Sequence, residues 1–125
     1  MRIPATLTTV SKRRKLYIMK ESCYIAGKIT GLKKNEYKAN FETAKQQVKR
    51  LGLLPVSPTD LPHKHEPTWN AYMREDLRAM LNCSHVFAQS NWQESKGASI
   101  EVELAEMLGL TVIYQDKLNK AETII

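Results

Sequence analysis

The chain has 125 residues, 42% of them hydrophobic and 26% charged, enough for one domain with a core of its own. It has no apolar run of the ~18 residues a membrane span needs, and its opening MRIPATLTTV is too polar for a secretory signal. The net charge of +6 suggests a nucleic-acid partner until it is located: Arg2, Lys12, Arg13, Arg14, Lys15 and Lys20 fall in an acid-free opening stretch, and the remainder carries 13 basic and 13 acidic residues.

Residues 1–18 therefore read as a flexible, solvated basic arm, the one place where nucleic acid could be gripped. An alternative reading starts the natural chain at Met19. Residues 19–125 read as a single domain. SCYIA (22–26) is a short apolar strand running into the glycine-bounded loop Gly27, Lys28, Ile29, Thr30, Gly31. Asn35 can cap a helix whose apolar face is Tyr37, Phe41, Ala44, Val48 and Leu51, with Gly52 as its stop. LLPV (53–56) is a second strand. The segment 57–67, with three of the chain's five prolines, is a long loop. Thr68 caps a helix from Trp69 to Leu81, HVFA (85–88) is a third strand, and QSNWQESKG (89–97) is a loop. A helix over 98–108 stops at Gly109, LTVIY (110–114) is a fourth strand, and the tail is compatible with a helix or an edge strand.

Strands alternating with single helices predict an α/β fold: a doubly wound, flavodoxin-like parallel sheet of four to five strands in three α/β/α layers. Ligands of such sheets gather at the carboxyl ends of the strands, here the loops after residues 26, 56 and 88. Two acids near those loops stand out. With Ala98 set at zero and about 100° per residue, Ser99, Glu103 and Glu106 share a polar arc, whereas Glu101 falls in the middle of the apolar one. Asp76 likewise falls inside the stripe Trp69, Tyr72, Met73, Leu77, Met80 of the preceding helix. A single inward acid is usually satisfied by a neighbouring donor. Two on consecutive helices beside glycine loops favour a site, because an unpaired buried carboxylate is costly. Paired carboxylates suit chemistry at an anomeric carbon, one attacking and the other moving a proton.

YIAGKITG (24–31), the helix with Asp76, and the pattern Trp92, Ser95, Gly97, Ala98, Glu101, Ala105, Gly109 resemble the nucleoside 2-deoxyribosyltransferase superfamily. The likeness is nearest to a small domain of unassigned function common in phages and prophages, and it covers residues 19 to 114. It implies Glu101 as the nucleophile, Asp76 as the carrier of a proton to the leaving base, and Tyr24 as the group orienting Glu101. It also implies substrate contacts from Gly27, Lys28, Ile29, Thr30, Gly31, Trp92, Ser95, Gly97 and Ala98. A Ser at position 95, where the nucleoside transferases carry an Asp, resembles the related deoxynucleoside 5′-monophosphate hydrolases, and a hydroxyl at a helix amino end suits phosphate. Lys28 stands where relatives carry proline, and Ser84 where many carry Asp.

The expected function is thus an N-glycosidic enzyme, a 2′-deoxyribosyl hydrolase or transferase leaning to 5′-monophosphates. The alternative is an inactive nucleotide-binding module or sensor of phage or prophage origin. The expected partners are a small-molecule nucleotide or nucleoside and a second copy in a homodimer or larger assembly, with no membrane. No cofactor or metal is expected: His63 and His65 beside Glu66 read as part of a mobile lid before a metal site. Cys23 and Cys83 read as reduced, buried thiols, which places the protein in the cytoplasm.

Overall fold

The computed structural model describes residues 20–124, with side chains through Ala121. The expected basic arm lies outside the described residues. Strand β1 (Ser22–Ala26) leads to helix α1 (Lys34–Arg50), β2 (Leu54–Val56) and a 3-10 turn at Pro58–Asp60. Then come α2 (Trp69–Leu81), β3 (His85–Ala88) and a 3-10 turn at Trp92–Glu94. Helix α3 (Lys96–Met107), β4 (Thr111–Tyr114) and α4 (Gln115–Ile124) complete the described chain. All strand pairs are parallel, in the order β2-β1-β3-β4.

This order follows from the crossovers. The chain winds outward from β1 to β2, then returns past β1 to lay down β3 and β4 on the other side. The direction of winding reverses between β1 and β3, which is where an open α/β sheet leaves a crevice at its carboxyl edge. As one of the two inner strands, β1 is buried along nearly its whole length, as parallel strands covered on both faces are. Its side chains divide by the pleat: Tyr24 and Ala26 join Val86, Ala88, Val102 and Ala105 under α2 and α3. Cys23 and Ile25 join Phe41, Ala44, Val48 and Phe87 under α1, with Leu118 of α4 packed alongside. The result is the three-layer α/β/α, flavodoxin-like fold, with four strands among the described residues. Burial of each of the large fully enclosed side chains, such as Phe41 and Phe87, contributes ~1.5–3 kcal/mol.

Several local expectations need correction. Helix α1 begins at Lys34, with the Lys33 carbonyl accepting from the N–H groups of Glu36 and Tyr37 and no side chain capping it, so Asn35 is not its cap. Helix α3 begins two residues earlier than its apolar pattern suggests, because the Ser95 hydroxyl accepts from Ala98 N at 3.1 Å and caps it there. The apolar arc of α3 is also narrower than expected: Met107 and Leu108 are 76% and 55% exposed. Leu51, beyond the end of α1, is exposed as well, and Gln47 takes its place on the inner face through amide bonds to Gln115 and Asn119. The open tail is a helix. Gly52 and Gly109 end α1 and α3 with φ of +80° and +76°, a left-handed turn that other residues adopt at a steric cost. Among the described residues no helix is long and apolar enough to cross a membrane.

Candidate functional site

A cavity of about 970 Å³ opens at the carboxyl edge of the sheet, walled by the loops after β1 and β2, by α2 and by the start of α3. Glu101 lies on its floor, 4% exposed. The flanking Ala98, Val102 and Ala105 belong to the same sheet-facing stripe, and the small alanines let α3 approach β1 closely. There the Tyr24 hydroxyl donates to Glu101 Oε2 at 2.5 Å. Burial pushes the Glu101 carboxyl up to about 8, with the Tyr24 hydrogen bond opposing the rise and the charge of Asp76 adding to it. Because α3 starts at Lys96, Glu101 sits in its second turn, where the field of the helix end has largely decayed. Burial therefore governs this acid, not the helix dipole. Burial, followed by the charges of Glu101 and Asp76, also holds the Tyr24 phenol well above its usual range, so it remains a donor.

Asp76 lines the same cavity, and its Oδ1 is buried without a hydrogen-bond partner. Desolvation raises its carboxyl to about 6, helped by the charge of Glu75 and opposed by His63 and His65. Both inward acids thus face one chamber, as the helical spacing suggested.

The remaining residues singled out from the sequence divide into two groups. Gly27, Ile29, Thr30, Ser95, Gly97 and Ala98 line the cavity. Two of the glycines are there for close approach. A Cβ on Gly27 would stand 2.2 Å from Gln89 Nε2, and one on Gly97 would stand 3.0 Å from Met73 Sδ, where α2 meets α3. The cavity wall does not include Lys28, Gly31 or Trp92. The Lys28 backbone N–H donates to Asn91 Oδ1, and its ammonium lies 3.9 Å from Glu94. Gly31, at φ +91°, turns the loop toward α1. Trp92 packs beside the α2–α3 side of the core, its ring 6.1 Å from that of Tyr114. Its apolar bulk is taken up by packing, which the sequence could not distinguish from a stacking surface.

Trp69 is the tryptophan at the cavity, 41% exposed, with the Lys96 ammonium 4.3 Å from its ring centroid. Tyr72, Lys34, Tyr37, Lys38, Pro58 and Thr59 also line the chamber. Their sequence signal was weak, because they come from segments brought together only by the crossovers. The Gln89 side chain is buried at the end of β3, with Nε2 unpartnered. The proline-rich segment 57–67 is tied to α2. Glu75 Oε2 accepts from His63 N at 2.8 Å, and its Oε1 meets His63 Nδ1 at 2.5 Å and His65 Nε2 at 3.3 Å. The acid beside these imidazoles is therefore Glu75 from the next helix, not the neighbouring Glu66.

A parallel sheet in the order β2-β1-β3-β4 with helices on both faces defines the class: a flavodoxin-like α/β protein, with the fold of the deoxyribosyltransferases. Its solved likenesses have that fold. A 2-deoxyribosyltransferase from Bacillus psychrosaccharolyticus superposes with a TM-score of 0.55 at 20% identity, covering 74% of this chain and 70% of that one. A 2-deoxyribosyltransferase from Leishmania mexicana superposes with a TM-score of 0.56 at 17% identity, covering 75% of this chain and 63% of that one. No curated protein matches the chain. The chain belongs to the family described as Domain of unknown function (DUF4406), whose model matches residues 21–114.

Proposed function

We propose that this protein is an N-glycosidic enzyme acting on a 2′-deoxynucleoside or its 5′-monophosphate, with Glu101 as nucleophile. The observation that carries the reading is the Tyr24–Glu101 hydrogen bond on the floor of the chamber that Asp76 also lines. In the first step a Glu101 carboxylate oxygen attacks C1′ and the C1′–N bond breaks. The bonding pair goes to the base nitrogen, which takes its proton from Asp76. The Tyr24 hydroxyl holds the attacking carboxylate in place and favours its ionised form. In the second step water, or a second base, displaces the ester from C1′ and returns a proton to Asp76. The 970 Å³ of space and the aromatic wall of Trp69 and Tyr72 suit a nucleobase. Phosphate would be received by the Ser95 hydroxyl, which can donate while accepting from Ala98 N, and by the Lys96 ammonium at the α3 amino end.

The fold of the two transferases supports this class of chemistry. The test is release of free base from a panel of deoxynucleosides and their monophosphates, followed by chromatography. Wild type should release base, and Glu101→Gln should lose at least ~10³-fold in rate. Turnover surviving in that variant would remove Glu101 from the role. A second reading, a nucleotide-binding module without turnover, is favoured by one observation: Glu101 is 4% exposed, and burial pushes its carboxyl up to about 8, toward the protonated form that does not attack. Thermal stabilisation of wild type by deoxynucleoside monophosphates, with no product formed between pH 6 and 9, would select it.

A further inference from the structure

The His63, His65 and Glu75 cluster supplies no reacting group to the glycosyl chemistry above, and its geometry suits a cation. One ligand atom from each of the three lies within 4.8 Å of the other two. The histidines come from the proline-rich loop and the carboxylate from α2, so only the folded chain brings them together.

The arrangement around His65 is the most telling. Its Nδ1 is 2.7 Å from the Glu66 carbonyl oxygen, which can only accept, so Nδ1 carries the proton. In the neutral ring Nε2 then presents a lone pair to Glu75 Oε1 at 3.3 Å. Two acceptors facing each other require a cation between them, either a proton or a metal. Imidazoles that bind metals commonly donate their other N–H to a carbonyl in this way, which fixes the tautomer. Two ligands held ~2.05 Å from a zinc ion at the tetrahedral angle stand roughly 3.3 Å apart, the spacing already found for this pair. The His63 pair, at 2.5 Å, would open by roughly 0.8 Å to reach it.

Backbone and ring contacts also hold the two imidazoles. His63 adopts φ +53°, a left-handed conformation that costs a non-glycine residue energy, and its backbone N–H is fixed to Glu75 Oε2. The Tyr72 ring packs edge-on against both imidazoles, with centroids 5.2 and 4.6 Å away. The side chains of His63, His65 and Glu75 are 33%, 19% and 17% exposed, shielded yet reachable by an ion.

We propose that His63, His65 and Glu75 form a binding site for a divalent metal of the zinc class at the wall of the chamber. Two imidazoles and one carboxylate suit zinc better than magnesium or calcium, which favour oxygen ligands. Three protein ligands leave a coordination position for water or for an oxygen donor entering the cavity, whose wall includes His63.

The test is titration of the untagged full chain with Zn²⁺ against a chromophoric chelator, with Co²⁺ as an optical substitute reporting coordination. Wild type should bind one equivalent in the micromolar range or tighter. His65→Ala and Glu75→Gln should each weaken binding on the order of 100-fold or more. His85→Ala, which removes the third histidine of the chain, should leave binding unchanged. Circular dichroism checks each fold. If His65→Ala does not fold, Glu75→Gln, which keeps the side-chain shape, supplies the reading. Zn²⁺ should also raise the melting temperature of wild type but not of Glu75→Gln. Absence of saturable Zn²⁺ binding, or equal binding by wild type and Glu75→Gln, overturns the site and leaves the cluster as a proton-bridged staple. Glu101→Gln should retain Zn²⁺, so the metal site and the glycosyl chemistry fail independently.

Discussion

Replacing Glu101 by Gln should change how the stability of the fold depends on pH, whether or not the protein turns over any substrate. Glu101 is 4% exposed, and burial raises its carboxyl from 4.5 in the open chain to about 8 in the fold. Between those values the folded state holds a proton that the unfolded state has released. Stability then falls as pH rises, because the slope of unfolding free energy with pH follows protons bound unfolded minus protons bound folded. The contribution is fully present below about 4.5 and has been lost once pH passes about 8. At 1.36 kcal/mol per pKa unit, the loss between pH 5 and 9 comes to roughly 4 kcal/mol. Gln is close in shape, can still accept from the Tyr24 hydroxyl, and does not titrate. The assay is urea denaturation of both proteins at five pH values from 5 to 9. Other titrating groups are common to the two and largely cancel in the difference. Near pH 5 the two should be within about 1 kcal/mol of each other, and by pH 9 the variant should be the more stable by several. A difference that stays flat across the series would mean that Glu101 ionises freely in the fold, and the burial argument would be wrong.

Three further outcomes follow from the same geometry. Tyr24→Phe removes the hydrogen bond that lowers the Glu101 carboxyl, so the acid should titrate higher still. Base release at pH 7 should then drop ~10–100-fold and recover partly toward pH 9, as measured by a rate–pH profile. Gly27→Ala drives a Cβ into the Gln89 amide and should destabilise the fold by ~1–3 kcal/mol in urea titration, with Gln89→Ala in the same chain restoring part of the loss. Ser95→Ala removes the cap of α3 and should cost ~0.5–2 kcal/mol of stability. By calorimetry it should also weaken binding of a deoxynucleoside monophosphate more than that of the parent nucleoside. Equal losses for both ligands would take the phosphate away from Ser95.

The inward placement of Glu101 and Asp76 was legible because helical periodicity is a property of neighbouring residues: Ala98, Val102 and Ala105 define a buried stripe, and position 101 falls within it. The parallel α/β layout was legible for a related reason, since short apolar strands alternating with amphipathic helices leave few other ways to cover a sheet. The ends of α1 and α3 were less so. A cap is decided by one or two hydrogen bonds, and a Lys33 carbonyl or a Ser95 hydroxyl carries no periodic signal.

From its own chain order, then, this sequence determined the four strands and the three helices between them, most of the inward faces, and that two acids lie on those faces, while the choice of a helix for the tail came only with the structure. It did not determine what those acids would meet. Tyr24 and Glu101 are 77 residues apart, and their hydrogen bond exists because β1 is an inner strand of the sheet with α3 packed across it. The exchange of Trp92 for Trp69 at the chamber, the pairing of His63 and His65 with Glu75, and the crowding of Gln89 onto Gly27 were likewise decided by the tertiary structure. Local pattern reports how much of a side chain is covered. Which partner covers it depends on strand order and crossover direction, and these are settled only when the whole sheet assembles.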